Sequence, residues 1–287
     1  MSNHFNVKEY AKNANKKFNY FPIKDQNEFE NMSFYMHQTY EYSFNGSIGA
    51  PVHKKLQAGA KVLEFGCENG VWTIEAASEY PNSKFYAVDF TAPISTDDDN
   101  ITFISCDIHQ KLPFSDNEFD YVFSRNQSNF FKKDKFQGFL FEIFRVLKPE
   151  GWLEIVHTLL TECDSDCGPA FARMNDAYIL WCKENGIDFD LVIHLEDYLK
   201  MTGKAEFISS QIVKIPTGGD GIGEFSCNVS LYYLKLMKEF FAPHLGISIE
   251  EYDRKLCEVE NELKKKCATA SPKRVIARKK DLAIKKV

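Results

Sequence analysis

The most constraining feature of the sequence is a glycine-rich turn between a short apolar run and a helical stretch. Residues 61–65 have the pattern of a buried strand, which ends at Gly66. The turn 66–70 follows, and residues 71–80 then have helical spacing. Such a turn lets backbone N–H groups approach a polar ligand closely. It is neither a P-loop nor a dinucleotide fingerprint, and on its own it also fits an ordinary strand-to-helix turn.

Further strands and helices alternate after this turn. Strands are predicted at 84–89, 100–107, 119–124 and 152–157, with an amphipathic helix at 136–147. Strands separated by helical stretches are typical of an α/β protein whose parallel sheet is covered on both faces. Beyond residue 157 the pattern predicts helices at 169–184, 194–201, 223–241 and 248–266, a strand at 206–215 and a short last edge strand at 274–278.

An acid lies at or just beyond the end of each of the first three predicted strands. Glu64 precedes the glycine turn, Asp89 ends the second strand, and Asp107 follows the third. With the stretches 112–123 and 145–154 they form an ordered set over roughly residues 58 to 160. This set resembles the class I S-adenosylmethionine-dependent methyltransferases. Gly-Val-Trp72-Thr, the stretch 79–84 and the stretch 246–252 further resemble the fungal LaeA-like group of that family.

The resemblance implies a Rossmann-like methyltransferase sheet, mostly parallel with the last strand antiparallel, and helices on both faces. It also implies S-adenosyl-L-methionine as the cofactor, with no metal, and methyl transfer by in-line displacement. In the family the acid matching Asp89 binds the ribose hydroxyls, and the acid matching Asp107 marks the adenine pocket. The cofactor-binding residues that it implies are Glu64, Gly66, Cys67, Gly70, Asp89, Phe90, Asp107, Ile108 and Arg125.

The chain is expected to divide into five parts around this core. These are an aromatic-rich N-terminal flank (1–57), the methyltransferase core (58–215), a helical cap insertion (216–271), the last strand (272–280) and a basic tail (281–287). The aromatic side chains of the flank either lie over the cofactor or fill the core. The flank and the cap are expected to make the pocket of a small-molecule acceptor, which the sequence does not name.

Glu68 is the main departure from the family pattern, because it replaces the middle glycine of the turn. A glutamate is strained there if its backbone needs a positive φ, and its charge lies near the cofactor's own carboxylate. We expect the side chain to point to solvent and cofactor binding to survive. The other interpretation is a weak or inactive relative that acts as a regulatory or binding partner.

His157 ends the predicted fifth strand, and the carboxyl ends of strands line the ligand crevice in an open α/β sheet. Its imidazole is the candidate catalytic base, since the ordinary histidine pKa lies near neutrality. The other interpretation is a packing histidine with satisfied hydrogen bonds. Residues 124–131 lack the Asn/Asp-Pro-Pro-aromatic tetrapeptide of amino-group nucleic-acid methyltransferases, which argues against methylation of nucleic-acid bases.

The net charge of −6 combines an acidic body with a basic end. Residues 264–287 contain ten Lys or Arg and one acid, Asp281, so the preceding residues carry −15. Such a body repels nucleic-acid phosphate, so only the tail could contact it, and the tail is either a frayed terminus or a nuclear-import or phosphate-contacting arm. The eight cysteines suggest free thiols, and no apolar run is long enough for a membrane span. We therefore expect a cytoplasmic protein, nuclear if the tail acts as an import signal, with a protein partner left open.

Overall fold

The structure is a computed structural model that describes residues 26–90, 98–127, 131–159, 167–188, 190–265 and 268–281. The first 25 residues of the aromatic flank and residues 282–287 of the basic tail lie outside the described residues. Within the described residues, no helix combines the length and the apolar character that crossing a membrane requires.

The strands form a mixed sheet in the order β3-β2-β1-β4-β5-β8-β6, with β7 paired to β8. Neighbouring strands from β3 to β5 are parallel, whereas β8 is antiparallel to both β5 and β6. This confirms the predicted Rossmann-like methyltransferase sheet. The strands are β1 Lys61–Phe65, β2 Lys84–Asp89, β3 Ile101–Ser105, β4 Phe119–Arg125, β5 Leu147–Leu159, β6 Ala205–Ile212, β7 Ile215–Thr217 and β8 Ala268–Lys279.

Nine helices occur among the described residues, before the sheet, between its strands and ahead of β8. They are α1 Gln26–Phe44, α2 His53–Ala58, α3 Val71–Glu79, α4 Lys133–Val146, α5 Pro169–Asn185, α6 Leu195–Met201, α7 Ile222–Leu236, α8 Lys238–Leu245 and α9 Ile249–Lys265. The stretch predicted as one helix at 223–241 is therefore two helices, α7 and α8, which meet at Met237.

The last strand differs most from its predicted form. It runs over Ala268–Lys279 instead of 274–278, and it lies inside the sheet between β5 and β6. The edge position belongs to β6. Pairing on both sides explains the extra length, because β5 and β6 both supply backbone partners to β8. The stretch predicted as one strand at 206–215 forms β6 and β7, which pair with successive parts of β8.

Three apolar clusters hold these elements together. One covers the sheet face beneath α4 and α6, and the second covers the opposite face beneath α1, α2 and α3. The third, which we call the four-helix cluster, is formed mainly by α5, α7, α8 and α9 and reaches the first residue of β8, Ala268. Helix α1 joins two of them, since Phe29 and Met32 belong to the four-helix cluster and Met36 and Tyr40 to the sheet. This brings α1 against the carboxyl ends of the central strands.

Candidate cofactor site

The glycine turn lies where β1 and β2 end. Gly66 and Cys67 donate their N–H groups to Val88 O of β2 at 2.9 and 3.1 Å. Gly66 has φ +75° and Gly70 has φ +77°, in the region that favours glycine. A Cβ atom at Gly66 would meet Cδ of Gln127 at 2.0 Å. The first glycine is therefore required for both backbone conformation and space.

Glu68 adopts the strained conformation and is buried, which corrects the expectation that its side chain points to solvent. Its φ is +50°, at a cost of about 1–2 kcal/mol, and it is 7% exposed. Ser33 Oγ of α1 donates to Glu68 Oε2 at 3.3 Å. Burial raises the pKa of Glu68, while the Arg125 charge and the Ser33 hydrogen bond oppose that rise. The side chain stays inside because α1 covers it and a cation lies near.

Asp89 ties the turn to the end of β2. Its Oδ2 accepts the N–H of Glu68 at 2.9 Å, and its Oδ1 accepts the N–H of Phe90 at 2.7 Å. Charge-assisted bonds of this kind are strong and fix the orientation of a carboxylate. Asp89 is 2% exposed. The residue predicted to bind the ribose hydroxyls therefore has a buried carboxylate in a fixed orientation.

Asp107 lies just beyond β3, beside the end of β2. The last residue of β2, Asp89, pairs in register with Ser105, and Asp89 O accepts the N–H of Cys106 at 2.8 Å. Asp107 Oδ1 accepts the N–H of His109 at 3.1 Å. The structure thus brings the two predicted carboxylates to adjacent strand ends. Ile108 is buried in the apolar cluster beneath α4, next to Phe90 in the same cluster.

Glu64 is buried at 1% exposure inside β1, and it accepts a hydrogen bond from Thr73 Oγ1 of α3. Burial raises the pKa of Glu64 to about 8; the charges of Glu68 and Asp89 add to this, and Arg125 opposes it. An acid of this pKa is largely protonated at neutral pH. Glu64 can therefore act as a hydrogen-bond donor, in contrast to the pure acceptor role of an ionised carboxylate.

Arg125, at the end of β4, is the buried cation of the site, at 5% exposure. It donates from NH1 to Nδ1 of His37 at 3.0 Å, and Nε2 of His37 lies 2.7 Å from Oε2 of Glu75. Burial and the Arg125 charge lower the pKa of His37 to about 4, so the ring is neutral. It accepts at Nδ1 and donates from Nε2–H, which links α1, β4 and α3.

The atoms of His37, Glu41 and Glu75 lie close enough together to suggest a metal site, with ligand atoms within 4.8 Å of one another. The hydrogen bonds of His37 do not fit a cation. A metal on Nε2 would displace the proton donated to Glu75, while Nδ1 already accepts from Arg125. The ring would then have lost both protons. We assign this group to the positioning of Arg125.

Ser33 and Gln127 were missed by the sequence analysis, whereas His37 and Tyr40 belong to the aromatic flank that was expected over the cofactor or in the core, without their hydrogen bonds. Tyr40 Oη donates to Asn126 Oδ1 at 2.6 Å and lies 2.9 Å from Thr158 Oγ1. The sequence does contain a pattern that indicates a polar helix face toward the site, because polar residues 33, 37 and 40 are spaced as one face of a helix. Their hydrogen-bond partners lie between 35 and 118 residues away in the chain. The sequence therefore predicts the polar face of the helix but not the residues that this face contacts.

His157 lies within β5 next to Thr158 and is buried at 5% exposure. Nδ1 lies 2.7 Å from Thr158 O, and because a carbonyl only accepts, Nδ1 carries the proton. Burial lowers the pKa of His157 to about 4. The ring is therefore neutral at physiological pH, and its basic nitrogen is Nε2.

The donor and acceptor set around the turn fits S-adenosylmethionine. The buried atoms Asn69 Oδ1 and Ser124 Oγ have no hydrogen-bond partner among the described residues. Asn69 lies inside the turn, and Ser124 pairs in register with Phe65, the residue before it. Orphaned buried polar atoms are rare and mark places where a ligand completes the bonding. Asp89 and Asp107 supply carboxylate oxygens at neighbouring strand ends for hydroxyl and amino donors.

Residues 62–151 match the sequence model of a family described as a methyltransferase domain. The matched segment is about a third of the chain and contains the glycine turn, β2 to β4, all but the first residue of β1, and the carboxylates of Glu64, Glu68, Asp89 and Asp107. It therefore carries the sequence pattern of that domain independently of the geometry. No curated protein matches the sequence.

Solved methyltransferase structures are among the similar folds. One is phosphoethanolamine N-methyltransferase 2 of Haemonchus contortus, bound to phosphomonomethylethanolamine and S-adenosylhomocysteine, at 18% identity and a TM-score of 0.48. The alignment covers 87% of this chain but only 58% of that protein. A further similar structure is that of the YcgJ protein of Bacillus subtilis, at 16% identity and a TM-score of 0.47, covering 80% of this chain and 99% of that one.

Proposed function

We propose that this protein is an S-adenosylmethionine-dependent methyltransferase that transfers the methyl group by in-line displacement to a small-molecule acceptor. The observation that carries the proposal is the strained turn 66–70, with Asp89 and Asp107 at the ends of the two strands that follow it. The methyltransferase-domain match over residues 62–151 supports it. The other predicted contacts, including Cys67 and Ile108, are part of the same proposal.

S-adenosylmethionine supplies a methyl group on a positively charged sulfur when it is bound. The work of the chain is then to bind, orient and exclude water. Asp89 offers oriented carboxylate oxygens for the ribose hydroxyls. The N–H groups of Gly66 and Cys67 donate to Val88 O, which holds the turn against β2. Helix α1 covers this edge of the sheet through Ser33 and His37, which shields the buried charges from water.

The acceptor side of the site is proposed from the flanks. Helix α1 and α7 pack together, and the Tyr35 ring stacks on Tyr232 at 5.9 Å. An aromatic wall of this kind suits a small organic acceptor better than a polymer, and the acidic body disfavours nucleic acid.

Membership of the LaeA-like group, the domain boundaries and the cytoplasmic or nuclear location stay predictions.

We assign His157 the role of general base for an acceptor that loses a proton. Its neutral ring keeps a lone pair on Nε2 at physiological pH, although a base of pKa about 4 is weak. His157→Ala is expected to lower turnover by about tenfold, since general bases contribute at least that much, while the affinity for S-adenosylmethionine changes little. Turnover equal to that of the unaltered protein would assign His157 to packing instead.

A second function is favoured by one observation, the buried Glu68 in the turn. A carboxylate at this position costs backbone strain and places negative charge near the cofactor. If it prevents binding, the protein keeps the methyltransferase fold and acts as a regulatory or binding partner.

Calorimetric titration with S-adenosylmethionine and S-adenosylhomocysteine separates the two functions. The proposed enzyme binds both ligands at a single site, and binding is strongly weakened in a variant that lacks the Asp89 carboxylate. The regulatory protein without a cofactor site shows no heat with either ligand. That outcome would overturn the proposal.

A further inference from the structure

The turn and its surroundings bury more negative than positive charge. Glu68 and Asp89 are both less than 8% exposed, and the negative charges of both help to raise the pKa of Glu64, which is itself largely protonated. The buried cation Arg125 opposes the rise in the pKa of Glu68, and it also donates a hydrogen bond to His37. Buried charge is expensive unless it is paired, so this arrangement favours a ligand that brings a positive charge.

The unpartnered atoms of the site point to the same kind of ligand. The buried Asn69 Oδ1 is a pure acceptor without a donor among the described residues. It follows Glu68 directly in the turn. Acceptors thus surround the turn on several sides, and a ligand that fits them presents donors or a cation.

The position of Glu68 relative to Asp89 connects this charge to the reacting sulfur. The Glu68 N–H donates to Asp89 Oδ2 at 2.9 Å. In S-adenosylmethionine the sulfur is bonded to the 5′ carbon of the ribose. A ligand whose ribose is held by Asp89 is therefore bound beside the Glu68 residue, and its sulfur is only two bonds from the ribose ring.

We propose that Glu68 is a specificity-determining residue that makes the site prefer a cation at the sulfur position, and so S-adenosylmethionine over S-adenosylhomocysteine. The inference rests on the proposed function and deepens it. The two ligands differ by one methyl group and one positive charge. A carboxylate beside the ligand stabilises the positively charged sulfur and leaves the neutral sulfur of the product without that attraction, which also favours product release.

The test compares ligand affinities by calorimetry in a mildly alkaline buffer, for the unaltered protein and for two variants. Glu68→Gln keeps the size of the side chain and its bond to Ser33 but removes the charge. Glu68→Gly removes the charge and also relieves the positive-φ strain, so it is the variant that folds most easily. The ligands are S-adenosylmethionine, S-adenosylhomocysteine and an analogue with a protonated amine in place of the sulfonium.

We expect both variants to lose about tenfold in the ratio of S-adenosylmethionine to S-adenosylhomocysteine affinity. The affinity of the amine analogue relative to S-adenosylhomocysteine should fall by a similar factor, because Glu68 recognises the positive charge and not the sulfur atom. Glu142→Gln is the matched control, since Glu142 is also a carboxylate near an arginine but bonds Arg145 on α4, outside the cofactor site. Its ratio stays unchanged.

Three results would overturn the inference. The first is an unchanged ratio in both Glu68 variants, and the second is an equal loss of affinity for all three ligands, which a merely structural role of Glu68 would produce. In both of these the proposed cofactor site survives. In the third, none of the ligands binds the unaltered protein, and the proposed function fails together with the inference.

Discussion

The glycine-turn region and the four-helix cluster bury different chemistry. In the four-helix cluster, rings of Tyr178, Trp181 and Phe241 pack edge to face, and no carboxylate of α5, α7, α8 or α9 is buried among the described residues. Around the turn, two glutamates, an aspartate, a histidine and an arginine are buried instead. Apolar burial stabilises a fold, whereas buried charge costs free energy. We infer that the helices supply stability and that the turn uses part of it to hold a ligand.

The largest expected effect is on stability and comes from the four-helix cluster. Phe241→Ala removes a fully buried ring and should lower the free energy of unfolding by about 3–5 kcal/mol, measured by urea denaturation. Phe141→Ala, at an exposed phenylalanine of α4, should change it by less than about 0.5 kcal/mol. Cofactor affinity below the unfolding transition should not change in either. A large loss of cofactor affinity in Phe241→Ala would contradict the inference that the four-helix cluster supplies stability while the turn region binds the ligand.

The next effect is on binding and comes from the turn region. Asp89→Ala removes the carboxylate that orients the turn, and the affinity for S-adenosylmethionine should fall by about a hundredfold. Asp120→Ala is the control, because Asp120 is also buried but bonds Lys61 N and Lys148 Nζ near the start of β4. It should lower stability and leave affinity unchanged. Equal losses of affinity in both variants would show that the Asp89 effect is not local.

The last effect concerns the pH dependence of stability, and it is the smallest when counted per pH unit. Glu64 has a folded pKa of about 8 against an ordinary value of 4.5, so between these values the folded chain holds a proton that the unfolded chain releases. Stability therefore falls as the pH rises through this window, by up to about 1.4 kcal/mol per pH unit. Glu64→Gln cannot titrate, so its stability relative to the unaltered protein should grow with pH. Urea denaturation across the window measures this, and parallel curves would contradict it.

The central part of the fold was predictable because the sequence patterns that indicate its strands, turn and helix each lie within a short stretch of the chain. The strand, turn and helix around Gly66 follow from short apolar runs and glycines, and the acids at 64, 89 and 107 lie at or beside the strand ends where they were expected. The last strand was predicted too short and at the edge. Its length depends on partners on both sides, and those partners lie far away in the sequence.

The orientation of Glu68 was not predictable from the turn alone. Its burial depends on Ser33, which lies 35 residues earlier, and on the charge of Arg125 in β4. The same holds for His37, whose partner Arg125 is 88 residues away. Residues that complete the site from α1 require tertiary contacts, which a strand-and-helix pattern does not contain.

The most direct test of the central claim is a crystal structure of the protein with S-adenosylmethionine. The account predicts the ribose hydroxyls on Asp89, the adenine beside Asp107 and the methionine part over the turn 66–70. A ligand bound elsewhere, for example in the 240 Å³ cavity lined by Arg173 and Leu245 of the four-helix cluster, would contradict it.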